Sequence, residues 1–264
     1  MHRVRGEPTP AFAAFLDGTQ ESHVLVWSGA APIVYGTVGA VIRERVDRRL
    51  RTWGRPRVLR RVYAPLCYAP RAALEEAFPP SVLVDTAPPA ADGSLPPRHP
   101  ALLLERAKSA VSRDRELLER ELAESWCTTR DAPLLIDGGI AGNELVAQSS
   151  CAVGVIKSHR ALYVSDRDVD TILSLRCGER SSVIRIAPRG RSAVHSWYLR
   201  LRDPIGHDAL WGLVRVEVAE QGMDADVVSR WVLAERAPIA MPDGRWDKMS
   251  YGVWNCEGYL RAIR

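Results

Sequence analysis

Two apolar runs along this chain end in the same pair of residues, Phe15-Leu16-Asp17-Gly18 and Leu134-Leu135-Ile136-Asp137-Gly138. Short apolar runs closed by turn signals read as buried strands. An Asp-Gly exit sets a carboxylate at the sheet edge, where glycine lets the chain turn sharply. Strand patterns follow at residues 23–27 and 32–38. Between 39 and 50, Val41, Ile42 and Val46 stand at helical spacing among arginines, so this segment is either helix or a strand running on into helix. Further strands are predicted at 57–63 and 81–86, with a short helix at 72–78 between them.

Residues 87–100 form a proline-rich connector unsuited to regular structure. The next 26 or so residues (101–126) carry Leu103, Leu104, Ala107, Ala110, Val111, Leu118 and Leu122 mostly every three or four positions, the buried stripe of a long helix. Then come the Asp137 strand, a Gly-rich turn, a strand at 152–157, a helix at 168–175 and a strand at 182–186. Alternating runs at 196–201 and 210–218 predict an antiparallel hairpin around Asp203-Pro204-Ile205-Gly206. Helices are expected at 224–236 and from about 246 to the end. The fold class is therefore α/β, within a single domain over 1–264.

Composition narrows the function. With 264 residues, 46% of them hydrophobic, the chain can bury a large core. The net charge of +4 is carried almost wholly by arginine, since Lys108, Lys157 and Lys248 are the only lysines. That balance permits a polyanionic partner without requiring one. Five widely spaced cysteines without a C-x-x-C pair point to reduced thiols rather than a disulfide framework or zinc ribbon. The N-terminus lacks the apolar core of a signal peptide, and no stretch approaches the roughly 20 apolar residues of a membrane span. A cytoplasmic protein with no membrane partner is expected.

If the two Asp-Gly strands are neighbours, their carboxylates converge where open α/β sheets bind ligands. The plainer alternative is that both pairs are turns, as Asp92-Gly93 and Asp243-Gly244 read in their proline-flanked loops. More acidic candidates lie at the other stations of the chain: Glu116, Glu119, Glu121 and Glu124 on the long helix and Glu257 on the last one. Glu119 and Glu121 both border the buried stripe, and periodicity does not separate them. Clustered hard oxygen ligands suit Mg²⁺ or Mn²⁺, and two such ions about 3.5 to 4 Å apart can hold the attacking and leaving oxygens of a phosphodiester.

The order of these elements is similar to an RNase H-like fold, a mixed sheet flanked by helices, here with extra helical and β insertions. In its motifs the chain resembles the NurA nucleases that work with the HerA translocase. The resemblance rests on Leu16-Asp17-Gly18-Thr19, Leu135-Ile136-Asp137-Gly138 and Gly154-Val155-Ile156-Lys157-Ser158. It continues through Tyr198-Leu199-Arg200, Val214-Arg215-Val216-Glu217-Val218 and a terminal helix containing Tyr251. It implies a manganese-dependent 5′-to-3′ exonuclease and single-strand endonuclease, a homodimer acting in DNA end processing with a HerA-type hexameric ATPase. Asp17 and Asp137 would be metal ligands, Glu121 or Glu119 the helix carboxylate, and Tyr251 would position substrate. The family places a histidine on its last helix, whereas no histidine here lies beyond His207. Glu257 is the nearest substitute as a ligand.

Arg215 and Glu217 share one face of an alternating strand, as a structural pair or as a phosphate contact beside the acidic cluster. Lys157 and His159, after an apolar strand, could neutralise a phosphate or move a proton, or be solvated. The arginine runs at 43–51 and 55–61, including Arg43 and Arg51 with Trp53 interleaved, suit phosphates and a stacked base, or a plain solvated face. Two other functions stay open: a catalytically impaired DNA clamp or adaptor of the same family, and an actin-like or sugar-kinase-type ATPase. The second is disfavoured because its loops place a residue between Asp and Gly, and no phosphate-binding P-loop occurs.

Overall fold

The computed structural model describes residues 1–159, 162–187, 189–236 and 247–263. The Asp243-Gly244 turn and the predicted start of the last helix at 246 lie outside them. In chain order the elements are β1 (His2–Arg3), β2 (Ala14–Ser28), β3 (Ala31–Val46), β4 (Arg49–Ala64), α1 (Arg71–Ala77), β5 (Leu83–Asp85) and α2 (Pro100–Thr129). There follow β6 (Leu134–Asp137), α3 (Glu144–Gln148), β7 (Ala152–Ile156), α4 (Asp166–Leu173), β8 (Glu179–Arg180) and β9 (Ile184–Ile186). The chain closes with β10 (Val194–Arg200), β11 (Leu213–Val218), α5 (Ala225–Ala234) and α6 (Tyr251–Ile263). The class is α/β, built on a large mixed sheet with helices. Among the described residues no helix is long and apolar enough to cross a membrane.

Two expectations are corrected. Asp17-Gly18 does not end a strand: β2 runs through it to Ser28, absorbing the separate strand expected at 23–27. The segment 39–50 contains no helix. β3 extends to Val46, and the two-residue turn Asp47-Arg48 joins it to β4 with φ of 51° and 61°. Positive φ at both central residues is the geometry whose twist matches the flanking strands of a hairpin. The helical spacing of Val41, Ile42 and Val46 is overridden by their β-branched side chains, which fit a pleated surface.

The residues divide into two compact units. One comprises Met1–Asp17, Ile42–Gly54 and Arg120–Gly258. Its strands follow the order β1-β8-β10-β11-β7-β6-β2. β6 runs parallel to β2 and to β7, while β11 is antiparallel to β7 and β10. The predicted hairpin is thus present as β10 and β11, with His195 opposite Val218 and Arg200 opposite Leu213. Its core includes Phe12, Phe15, Trp126, Leu134, Val153, Trp197, Val216 and Val228, all almost fully buried. Asp224 caps α5 by accepting from the Asp226 and Val227 amides, and the Trp197 indole ties β10 to that helix by donating to Ser229 Oγ at 2.9 Å. Arg200 is fully buried, and among the described residues no carboxylate forms an ion pair with it. Its guanidinium donates to the carbonyls of Leu173, Leu175, Ala209 and Trp211, which satisfies the head group while burial lowers its pKa.

The other unit comprises Gly18–Val41, Arg55–Glu119 and Tyr259–Arg264, with strand order β2-β3-β4-β5. Ile33, Val62, Ala64 and Leu74 pack with Tyr35, Phe78 and Leu83 in one of its clusters. The buried Tyr63 hydroxyl donates to Asp114 at 2.7 Å, and Arg61 pairs with the same carboxylate at 2.9 Å. Burial, and then Asp114, raise the Tyr63 pKa.

Candidate functional site

The parallel pairing of β2 with β6 fixes the site. Ala14 stands opposite Leu134, Phe15 opposite Leu135 and Leu16 opposite Ile136, so the next positions on the two strands are Asp17 and Asp137. Adjacent strands lie about 4.8 Å apart, and the two carboxylates leave neighbouring strands at one level. Asp17 is 4% exposed. It shares a strand face with Phe15, two residues back, and Phe15 lies under α6. A Cβ at Gly252 would strike the Phe15 ring, and Cys256 Sγ lies 3.3 Å from the Phe15 carbonyl. Burial pushes the Cys256 thiol up, Asp17 and Asp137 add to that shift, and Arg43 opposes it. Glu257 is buried on the same stripe of α6 as Val253 and Leu260, at spacings of four and three.

On the other side of β6, Asp137 is level with Val155 of β7. Lys157, two residues further along, reaches Asp137 Oδ2 with its ammonium at 2.8 Å and Met249 Sδ at 3.6 Å. Both charged side chains remain about one-fifth exposed. Asp137, Lys157, Lys248, Met249 and Val253 line a pocket with room for a single water. Two of the chain's three lysines therefore line this pocket, Lys157 paired with Asp137 and Lys248 3.9 Å from Asp247.

The turn after Asp137 is built around glycine and Glu217. Gly138 has φ of 135°, and its amide donates to the Val155 carbonyl at 3.0 Å. A Cβ at Gly139 would lie 2.9 Å from Glu217 Oε2, which accepts the Ile140 amide at 2.9 Å. Glu217 Oε1 pairs with Arg215 at 2.9 Å, and the Arg215 guanidinium also lies over the Tyr163 ring, 4.6 Å from its centroid. Glu217 thus supports the Asp137 turn from below, and Arg215 is engaged in a structural ion pair.

Other expected site residues are placed as follows. Glu121 is exposed on α2, and no described contact joins it to Asp17 or Asp137. Glu119 is mostly buried, pairs with Arg115 and fills the space beside the Cβ-less Gly18. Glu124 accepts from Asn143, the residue that caps α3, and Glu116 is exposed. Tyr251 opens α6 half-exposed, on the side of that helix opposite Val253. His159 is bonded through Nε2 to the Leu213 carbonyl at 2.8 Å; burial lowers its pKa first, and Lys248, Arg215 and Arg200 lower it further. It is a neutral structural histidine.

The basic run is also partly structural. Arg43 donates to Asn255, Thr52 and the Leu50 carbonyl, and Arg45 makes a bidentate pair with buried Glu235. Trp53 packs edge-on against Trp126, with centroids 5.2 Å apart. Arg49, Arg51, Arg55, Arg57 and Arg60 are exposed along β4. The sequence reading did not anticipate Cys256, Lys248 or Met249 at the site. The rarity of lysine in the chain was the one signal that could have pointed to Lys248.

Asp17, Asp137 and Glu257 offer the hard oxygens that a divalent cation prefers. Among the described residues, however, no three His, Cys, Asp or Glu side chains are disposed to hold a metal, and Lys157 already neutralises Asp137. The donor chemistry suits the ion; the ready-made cage is absent. No family model matches the chain, and no curated protein matches it.

Proposed function

We propose that the chain is a metal-dependent deoxyribonuclease of the NurA type with an RNase H-like core, acting on DNA ends beside a HerA-type ATPase as a homodimer. The observation that supports this most is the placement of Asp17 and Asp137 at one level of adjacent parallel strands, with Lys157 on the next. Asp17 and Asp137, with Glu257 of α6 as the third candidate ligand, would hold Mn²⁺ or Mg²⁺. A cation bound there supplies charge neutralisation and an activated water for phosphodiester hydrolysis.

The remaining tasks fall to the chain's own groups. Lys157, released from Asp137, places its ammonium where a scissile phosphate needs a counter-charge. Glu217 fixes the 138–140 turn and so the position from which Asp137 projects. Exposed Arg49 and Arg51 of β4 hold the phosphate backbone, a contact that weakens with salt. Cleavage of end-labelled single- and double-stranded DNA with Mn²⁺, Mg²⁺ or chelator, compared with Asp17→Ala, tests the reading. Metal-dependent cleavage lost in the variant supports it.

A second reading, the clamp or adaptor without cleavage, draws on the Lys157–Asp137 pair, which satisfies the carboxylate internally. It predicts DNA binding with no cleavage by either protein, even beside a HerA-type partner.

A further inference from the structure

The five cysteines fall into two kinds. Cys67 donates its thiol to the Ala87 carbonyl at 3.2 Å, Cys177 to that of Leu201 at 3.2 Å and Cys256 to that of Phe15 at 3.3 Å. Cys177 Sγ also accepts from the Arg236 guanidinium at 3.3 Å. Cys127 and Cys151 face each other, with sulfurs 3.9 Å apart, and Cys151 Sγ also lies 3.8 Å from the Arg130 carbonyl. Cys127 sits in the last turn of α2 and is partly exposed, while Cys151 is buried at the residue before β7. Ser149 Oγ lies 3.2 Å from Cys151 Sγ.

We propose that Cys127 and Cys151 are a dithiol that reacts with hydroperoxides and closes to an intramolecular disulfide between α2 and β7. The contact with Cys127 lowers the Cys151 pKa, burial opposes that shift, and the Ser149 hydroxyl lowers it further. The contact with Cys151 and then burial raise the Cys127 pKa, and a helix C-terminus further disfavours an anion there. Ionisation of the pair therefore falls first on Cys151, and the thiolate is the nucleophilic form of sulfur.

The thiolate attacks one oxygen of the hydroperoxide and breaks the O–O bond. A sulfenic acid forms on Cys151, and the other oxygen leaves as the alcohol, or as water from hydrogen peroxide, with a proton. Cys127 sulfur then attacks that sulfenic sulfur; its proton and the departing hydroxyl leave as water as the S–S bond forms. Two thiols lose two electrons and the peroxide gains them. A closed bond needs the sulfurs about 2.0 Å apart, so they must approach by roughly half their present separation.

The test is a hydrogen peroxide titration of the full-length protein, followed by alkylation under denaturing conditions, thiol counting and peptide mass spectrometry. Wild type should lose two of its five thiols, yield one linked pair of peptides containing Cys127 and Cys151, two hydrogens lighter, and recover both thiols with dithiothreitol. Cys127→Ser should give no linked peptide but a dimedone-trapped sulfenic acid at Cys151, whereas Cys151→Ser should leave Cys127 unoxidised at the same dose. Loss spread over all five thiols, a link between other cysteines, or five free thiols at doses that oxidise free cysteine would each overturn the proposal.

Discussion

Removing Glu217 should cost more than any exposed carboxylate in the chain, and the structure gives the size. Glu217 is 3% exposed, accepts the Ile140 amide and faces Arg215, which is itself only 11% exposed. Arg215 NH1 has no hydrogen bond in this pair, so its tie to Glu217 is one of charge and the lower end of the usual range applies. Stripping one partner from a buried ion pair costs about 3 kcal/mol at that end, and an orphaned buried amide adds about 1 kcal/mol. Glu217→Ala should therefore lose about 4 kcal/mol, and Glu217→Gln, whose amide oxygen still accepts from Ile140, about 3 kcal/mol. At this chain length about 2 °C of Tm accompanies each kcal/mol, so drops of about 8 and 6 °C are expected. The double variant Arg215→Met/Glu217→Gln removes the unpaired charge and should recover to within about 1 kcal/mol of wild type. Thermal unfolding followed by circular dichroism reads all three. A double variant no more stable than Glu217→Gln would refute the argument that the stranded arginine carries the cost.

Two further predictions are independent of that pair. Gly252→Ala would drive a methyl into the Phe15 ring beneath α6, costing about 2 kcal/mol as overpacking; a thermal midpoint unchanged from wild type would show that α6 does not seat as described. His159 carries a folded pKa below its ordinary 6.5, so the unfolded chain binds the extra proton first. Its contribution is complete above about pH 6.5 and is lost as pH falls from there towards the folded pKa. His159→Asn should flatten that part of a urea-derived stability profile, and an unaltered slope between pH 6.5 and 5 would contradict the assignment.

What was legible in the sequence was whatever a single period carried. The stripe Leu103, Ala107, Ala110, Val111, Leu118 and Leu122 is buried along α2, and the alternation of Val214, Val216 and Val218 yields β11. Asp17 and Asp137 were visible as a repeated pair, but their common level depends on strand pairing, which no local pattern encodes. Asp-Gly misled at Gly18 because the glycine serves a close approach: its missing Cβ admits Glu119 in mid-strand. Glu119 and Glu121 were inseparable by periodicity because both border the stripe; burial distinguishes them. The arginine runs read as one surface, yet Arg43 and Arg45 turn inward to partners far along the chain, Asn255 and Glu235. Such partners lie outside any local window.

The most direct test of the central claim is the cleavage rate on end-labelled DNA with Mn²⁺ for Asp17→Asn, Asp137→Asn and Glu121→Gln, each first shown to be folded and to bind DNA as wild type does. The shared level of the two aspartates predicts that either Asn variant loses at least ~10²-fold, about 2.7 kcal/mol of transition-state stabilisation, while exposed Glu121→Gln stays near wild type. Equal cleavage by wild type and both Asn variants would contradict a site built on Asp17 and Asp137, as would loss in the Glu121 variant alone.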